Sequence, residues 1–313
     1  MKAIIIEKGG GVEELKLKEI EKPFVNSNEV LIKVKALSIN PVDVKTRAGK
    51  AFYGKLEQED PIILGWDVSG IVEEVGADVT KFKKGDAVFG MVNFPGHGKA
   101  YAEYVASPAD HLALKPESIS FEEAAATTLA ALTAYQDLVH QAGVTAGQKV
   151  LVHAASGGVG HYAVQIAKSL GAYVIGSSSG ANRDFVLGLG ADEHIDYKSQ
   201  DFEDVVSDVD LVIEIVGGDH IKRSIQVIKE GGTLVSNLGL NEEAATLAKE
   251  KGVKGIAYLV QSNGDDMEQL AKLLASGKVK AHVSKTYAFE LLPESHKQVE
   301  TGHTVGKVVV VID

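Results

Sequence analysis

KVLVHAASGGVGHYAVQIAK, residues Lys149–Lys168, reads as strand, glycine turn and helix in direct succession. The run from Lys149 to Ala154, with β-branched Val150 and Val152, is that of a buried strand. Ala155–Gly160 follows as A-S-G-G-V-G, after which Val159, Ala163, Ile166, Ala167 and Leu170 recur at helical spacing. In that context each turn residue has a physical task. Gly157 lets the backbone approach a pyrophosphate, and Gly160 lets the helix pack close to the strand. The helix N-terminus turns free N–H groups and the positive end of its dipole toward the phosphates. Ala155 stands where a first glycine is usual, which a tight turn accepts if its φ stays negative. The competing interpretation is a βα turn without a ligand. The strand–turn–helix setting favours a dinucleotide site at Ser156, Gly157, Gly158, Val159 and Gly160.

The next strand, Ala172–Ser177, indicates which dinucleotide. Its end is where an NAD site carries Asp or Glu for the ribose 2′-OH. Here the chain runs Ser177-Ser178-Ser179-Gly180, with no carboxylate before Asp184. Hydroxyls and Arg183 accept a 2′-phosphate, which a guanidinium grips in a bidentate fork. The expectation is NADPH rather than NADH, against the alternative of a solvated serine loop.

At 313 residues the chain is long for one core and comfortable for two domains. With 45% apolar and 24% charged residues it is ordinary globular protein. A net charge of −11 without a Lys/Arg block argues against nucleic acid or an anionic membrane as partner. There is no cysteine, so disulfides, thiolate metal ligands and thiol catalysis are all removed. The opening MKAIIIEKGGG reaches Glu7 too soon for a signal-peptide core, and no apolar run has membrane-spanning length. The expected location is cytoplasmic.

Up to about residue 120 the chain is β-rich. Strand-like runs at Ala3–Ile6, Leu15–Glu19, Glu29–Ala36, Ser69–Val75, Ala87–Met91 and Ala100–Ala106 alternate with turn signals, as in an antiparallel barrel. From Ser120, an N-cap residue followed by Glu122 and Glu123, a helical pattern runs on to about Gly143. Strands at Val150–Ala154, Tyr173–Ser177, Leu211–Val216, Thr233–Asn237 and Gly255–Val260 then alternate with helical segments at Asn182–Leu189 and His220–Ile228. That alternation predicts a doubly wound parallel sheet. Met267–Ser276 reads as a helix, and Lys307–Ile312 as a last strand returning to the N-terminal β domain.

Together, GIVEEVGADVTKFKKGDAVFG (Gly70–Gly90), the A-x-G-G-x-G turn and the terminal GKVVVVID resemble the medium-chain dehydrogenase/reductase superfamily. ALSINPVDVKTRAG (Ala36–Gly49) and the serine-ended second strand resemble its zinc-free quinone oxidoreductase branch. The resemblance covers nearly the whole chain. It implies an α/β fold: a Rossmann doubly wound parallel sheet plus a GroES-like β-barrel domain formed by both chain ends. The implied limits are residues 1–122 and 266–313 for the GroES-like substrate domain and 123–265 for the NADPH-binding domain. Zinc alcohol dehydrogenases carry Cys, Gly-His-Glu and Cys around the metal. This chain has Gly65-Trp66-Asp67 at the second position and Asp43 near the first, so no zinc is expected.

Without a Lewis acid for alcohols, the accessible chemistry is hydride delivery to an electron-poor small molecule, a quinone or an α,β-unsaturated carbonyl. The resemblance places Asn40, Asp43 and Thr133 nearest the nicotinamide, with Asn40 and Thr133 as catalytic candidates. It puts Leu259 and Val260 at the carboxamide and Tyr197 at the adenine end, and adds Leu238 and Lys307 to the cofactor set. The loop tyrosine Tyr53 is the candidate proton donor or substrate-orienting hydroxyl, with His97 second and water as the alternative. Two other readings stand beside this one, a 2-enoyl thioester reductase and a non-enzymatic NADPH-binding sensor. The apolar strand Gly255–Val260 suggests edge pairing with a twin, hence a homodimer.

Overall fold

The computed structural model describes residues 1–312. In its N-terminal part, β1 (Lys2–Ile6), β2 (Lys16–Glu19) and β3 (Glu29–Ile39) precede the short helices α1 (Pro41–Arg47) and α2 (Tyr53–Leu56). β4 (Ile62–Ile63), β5 (Asp67–Val75), β6 (Ala87–Met91), β7 (Tyr104–Pro108) and β8 (Leu112–Leu114) follow, then α3 (Phe121–Ala126) and α4 (Leu129–Tyr135). The alternating part runs β9 (Lys149–Val152), α5 (Gly160–Ser169), β10 (Tyr173–Ser178), α6 (Arg183–Gly188), β11 (Glu193–Asp196), β12 (Val209–Glu214) and α7 (His220–Gln226). It ends with β13 (Ile228–Ser236), α8 (Glu242–Glu250) and β14 (Lys254–Ala257). The chain closes with α9 (Gly264–Ala275), β15 (Val283–Ala288), α10 (Leu292–Glu300) and β16 (Lys307–Val311).

Two compact units result. One holds residues 1–132 and the stretch from Val260 onward; the other is Thr133–Leu259. In the first, a sheet of order β15-β16-β3-β5-β6-β8 has β7 paired to β3, beside a three-stranded sheet of order β2-β1-β4. The returning strand β16 pairs antiparallel with β3, Val309 opposite Ser38 and Val311 opposite Ala36, as the sequence predicts. Against this sheet α3 lies close, because Ala125 and Ala126 meet Ala36 and Val309 with almost no side chain between them.

The second unit is one parallel sheet of order β11-β10-β9-β12-β13-β14. From β9 the chain moves outward to β10 and β11, then crosses back to β12 on the other side. The switch of direction therefore lies between β9 and β12, whose carboxyl ends flank the crevice where open α/β sheets bind ligands. Beneath it Leu151, Ile175, Val212, Ile225 and Leu234 form part of a continuous apolar core.

Two predicted elements differ. Residues 100–103 are not strand. Tyr101 N–H bonds Leu64 O, and the segment meets β1 only in an isolated antiparallel bridge of Ala102 with Ala3, so β7 begins only at Tyr104. The helix from Phe121 is also broken, at Thr127 and Thr128, whose hydroxyls bond back to Glu123 O and Ala125 O. Leu129 N–H is then taken by Asp67 Oδ1 at 3.0 Å, and the segment ends in a wide π-helical turn at Gln136–Gln141. No helix among the described residues is long and apolar enough to cross a membrane.

Candidate active site

In the second unit the glycine turn follows β9 directly. Ala154 adopts a left-handed φ of 45°, and Gly157 N–H closes the turn onto Ala154 O at 2.8 Å. A Cβ on Gly160 would come within 2.2 Å of Ala154 O, so only glycine lets α5 start this close to its strand. No side chain caps α5; His161 and Tyr162 N–H bond Gly157 O and Val159 O, each at 3.1 Å, and the positive end of the helix dipole lies at the turn, where it favours an anion. Ser156 receives a hydrogen bond from Asn182 Nδ2 at 3.1 Å, tying the turn to the loop after β10.

Three exposed apolar side chains stand beyond neighbouring strands of the sheet. Val216, Leu238 and Leu259 each lie two residues past the ends of β12, β13 and β14, and are 49%, 48% and 44% exposed. They make an apolar row at the carboxyl edge, of which the sequence reading names Leu238 and Leu259 but not Val216. Tyr197 and Arg183 are exposed beyond β11 and at the start of α6, Arg183 lying 3.5 Å from Asp184. Thr133 is buried on α4.

Ser177 and Ser178 differ from expectation. Both are buried and both hydroxyls turn inward, Ser177 Oγ to His153 Nδ1 at 2.9 Å and Ser178 Oγ to His194 Nε2 at 2.8 Å. The histidines arrive from other strands, which no local sequence signal announces. Asp196 supplies the carboxylate that the segment before Asp184 lacks. It comes from the next strand, within 2.5 Å of where a Cβ on Gly180 would lie, and accepts Lys198 N–H at 3.0 Å.

At the carboxyl ends of β9 and β12, His153, Glu214 and His220 bring three metal-ligating atoms within 4.8 Å of one another. Each is already engaged. Glu214 Oε1 accepts Val216 and Gly217 N–H at 2.7 and 3.0 Å, and Oε2 accepts His220 Nδ1 and Ser224 Oγ, both at 2.7 Å. Ser224 also lies 3.1 Å from His153 Nε2. Burial pushes the Glu214 carboxyl up, but these donors and the neighbouring histidines outweigh it and hold it at about 2. Burial holds His153 at about 3, hence neutral, against the opposing pull of Glu214.

In the first unit Asn40 N-caps α1 and sits in a buried polar cluster. Asp43 Oδ2 accepts Asn40 N–H at 2.6 Å, and Asn40 Nδ2 donates to Asp67 Oδ2 at 2.7 Å. Ser38 Oγ donates to the same Asp67 oxygen at 2.6 Å. Lys307 is buried; its ammonium donates to Asn40 Oδ1 and lies 3.7 Å from Asp67. Those contacts make Lys307 a support for Asn40 within this cluster. Among the described residues Asp43 Oδ1 is buried with no hydrogen-bond partner, and burial followed by repulsion from Asp67 raises its carboxyl to about 8. Tyr53 is half-buried at the start of α2. His97 bonds Ile63 O at 2.8 Å and faces Glu59 at 3.4 Å, which makes it a loop anchor. Val260 is buried.

Zinc does not fit the place where dehydrogenases of this fold hold it. Trp66 is fully buried, donates Nε1–H to Gly96 O at 2.8 Å, and meets Phe52 and Phe94 edge-on at 6.1 and 5.2 Å. Asp67 is saturated by Ser38, Asn40 and Leu129, and the chain has no cysteine. Too few ligands remain for a tetrahedral site.

A β domain closed by the returning C-terminus, with an inserted doubly wound sheet and a glycine turn at its switch point, defines a dehydrogenase/reductase architecture. Models for an alcohol dehydrogenase GroES-like domain and a zinc-binding dehydrogenase match residues 26–117 and 189–310. The chain is 36% identical to a 2-methylene-furan-3-one reductase of Solanum lycopersicum, over 99% of this chain and 79% of that one. It is 37% identical to an NADPH-dependent alkenal/one oxidoreductase of Arabidopsis thaliana, again over 99% and 79%. The solved quinone oxidoreductase of Coxiella burnetii superposes with a TM-score of 0.93 at 39% identity, covering 100% of this chain and 99% of that one. The chain belongs to the medium-chain dehydrogenase/reductase superfamily, in its zinc-free quinone oxidoreductase branch.

Proposed function

We propose that the protein is an NADPH-dependent oxidoreductase that transfers hydride to a quinone or an α,β-unsaturated carbonyl without zinc. The observation that carries this reading is the second unit's carboxyl edge. There a Gly160-tight turn opens α5 with the positive end of its dipole set toward phosphates, and Val216, Leu238 and Leu259 offer an apolar bed for a flat ring. Exposed Arg183 and Tyr197 are the groups available to the 2′-phosphate and adenine end.

When bound, the nicotinamide supplies the hydride, and the acceptor gains one hydride and one proton in total. The residues of the chain bind and orient. Asn40 and Asp43, rigidly held at the start of α1, and Thr133 on α4 take the nicotinamide end in this reading. Tyr53 is the proton donor or orienting hydroxyl. We assign the substrate role to the first unit and the cofactor role to the second. A homodimer formed along β14, the edge strand of its sheet, and a cytoplasmic location complete the proposal.

Cofactor fluorescence titration tests the first half. NADPH binding at least tenfold tighter than NADH is expected; stronger NADH binding would reject the cofactor assignment. Chelator-resistant oxidation of NADPH by 1,4-benzoquinone or a simple enal is expected for the second half. Turnover that disappears with chelator and returns with zinc would reject metal independence, and binding without turnover on any acceptor would point to a sensor. Light scattering on the eluted peak decides between dimer and monomer.

A further inference from the structure

We propose that Glu214 is a positioning residue for cofactor choice: through Ser224 and His153 it commits the Ser177 hydroxyl proton inward, so that Ser177 offers a bound dinucleotide only lone pairs. The chain of contacts fixes the direction. An ionised carboxylate only accepts, so the single Ser224 hydroxyl proton goes to Glu214 Oε2, 2.7 Å away. Ser224 Oγ must then accept from His153 Nε2, 3.1 Å away. A neutral imidazole has one N–H, which leaves Nδ1 an acceptor, and Ser177 donates to it over 2.9 Å. Both ends are rigid. Glu214 is pinned by the Val216 and Gly217 N–H groups and by His220, and His153 is walled by Phe202 and His220 at ring distances of 4.7 and 4.3 Å.

The chain spans the switch-point crevice, from β12 through α7 to the end of β9 and on to β10. A Ser177 oxygen that presents only lone pairs suits a ribose hydroxyl and repels a phosphate. This consequence rests on the dinucleotide reading above; the direction of the hydrogen bonds does not.

Glu214→Gln tests it because it reverses the chain. The amide oxygen stays on the two backbone N–H groups, so the amide nitrogen faces Ser224 and donates to it. The Ser224 proton then goes to His153 Nε2, the imidazole proton moves to Nδ1, and Ser177 is freed to donate outward. Long-range proton–nitrogen correlation spectra of the full chain read the tautomer. His153 protonated on Nε2 in the wild type and on Nδ1 in E214Q is expected. An Nδ1 proton in the wild type, or no change in E214Q, would overturn the proposal, and the wild-type spectrum alone decides if E214Q does not fold.

Affinities for NADPH and NADH give the second readout. E214Q raises the NADPH:NADH affinity ratio roughly tenfold, the scale of one hydrogen bond to a charged group. Ser177→Ala removes those lone pairs and likewise raises the ratio. A tenfold fall in the ratio for S177A would mean that Ser177 donates to the phosphate and would overturn the proposal. A wild type that binds neither dinucleotide would reject the cofactor reading, while the tautomer still judges the chain.

Discussion

Asn40 donates from Nδ2 to Asp67 Oδ2 over 2.7 Å, with both side chains buried. This bond fixes the amide so that its oxygen meets the Lys307 ammonium, joining α1, β5 and β16 in one cluster. Burial pushes the Lys307 ammonium down from its ordinary value, while Asp67 and Asp43 hold it up. Lysine 307 is thus the countercharge of the cluster. Lys307→Met leaves Asp67 buried and unpaired, and is expected to cost about 3–5 kcal/mol of stability. Urea denaturation at neutral pH measures it. A loss under about 1 kcal/mol would show that the ion pair does not hold the cluster.

Asp43 gives a pH-dependent prediction. Its carboxyl lies at about 8 in the fold against an ordinary 3.8, so between those values the native state holds a proton that the unfolded chain has released. Unfolded then binds fewer protons than native, and stability falls as pH rises through that window. Asp43→Asn keeps an oxygen for the Asn40 N–H and removes the ionisation. Relative to wild type, D43N should gain on the order of 2–4 kcal/mol between pH 5 and pH 8. Parallel stability curves across that range would contradict a buried, protonated Asp43.

Trp66 fills the place of a zinc ligand with ring packing. Trp66→Ala removes the Gly96 bond and both aromatic edges, and is expected to cost about 3–5 kcal/mol. It should also expose the Asn93–Lys99 loop to limited proteolysis. Trp66→His should not recruit zinc, because the oxygens of Asp67 remain taken by Ser38, Asn40 and Leu129. Stoichiometric zinc in W66H after dialysis, read by elemental analysis, would refute this account.

The legible parts of the fold were those with local causes. The turn at Ala155–Gly160 and the alternation around it are set by glycine geometry and apolar period, and β16 announces itself as a run of valines. Other features depend on distant partners. The break at Thr127–Thr128 needs Asp67 to receive the Leu129 N–H, 62 residues away in sequence. Ser177 and Ser178 look like free hydroxyls in the chain, yet His153 and His194 take them in the fold. Val283–Ala288 escaped as a strand because four of its six side chains, at Ser284, Lys285, Thr286 and Ala288, are exposed.

The glycine turn itself can be tested against an internal control. At Gly160 an added methyl would meet the Ala154 carbonyl at 2.2 Å, a backbone atom that cannot rotate away. Gly160→Ala must therefore push α5 off β9, moving the turn and helix start assigned to the phosphates in the proposed function. At Gly188, the last residue of α6, the same methyl meets nothing within 4 Å. Gly188→Ala should stabilise the protein by about 0.4–1 kcal/mol through the unfolded chain's lost freedom. NADPH affinity should fall at least tenfold in G160A and stay unchanged in G188A, as a fluorescence titration of each would show. A G160A protein that binds NADPH like wild type would mean that the dinucleotide does not use this turn, and Lys149–Lys168 would keep its strand and helix but lose its ligand.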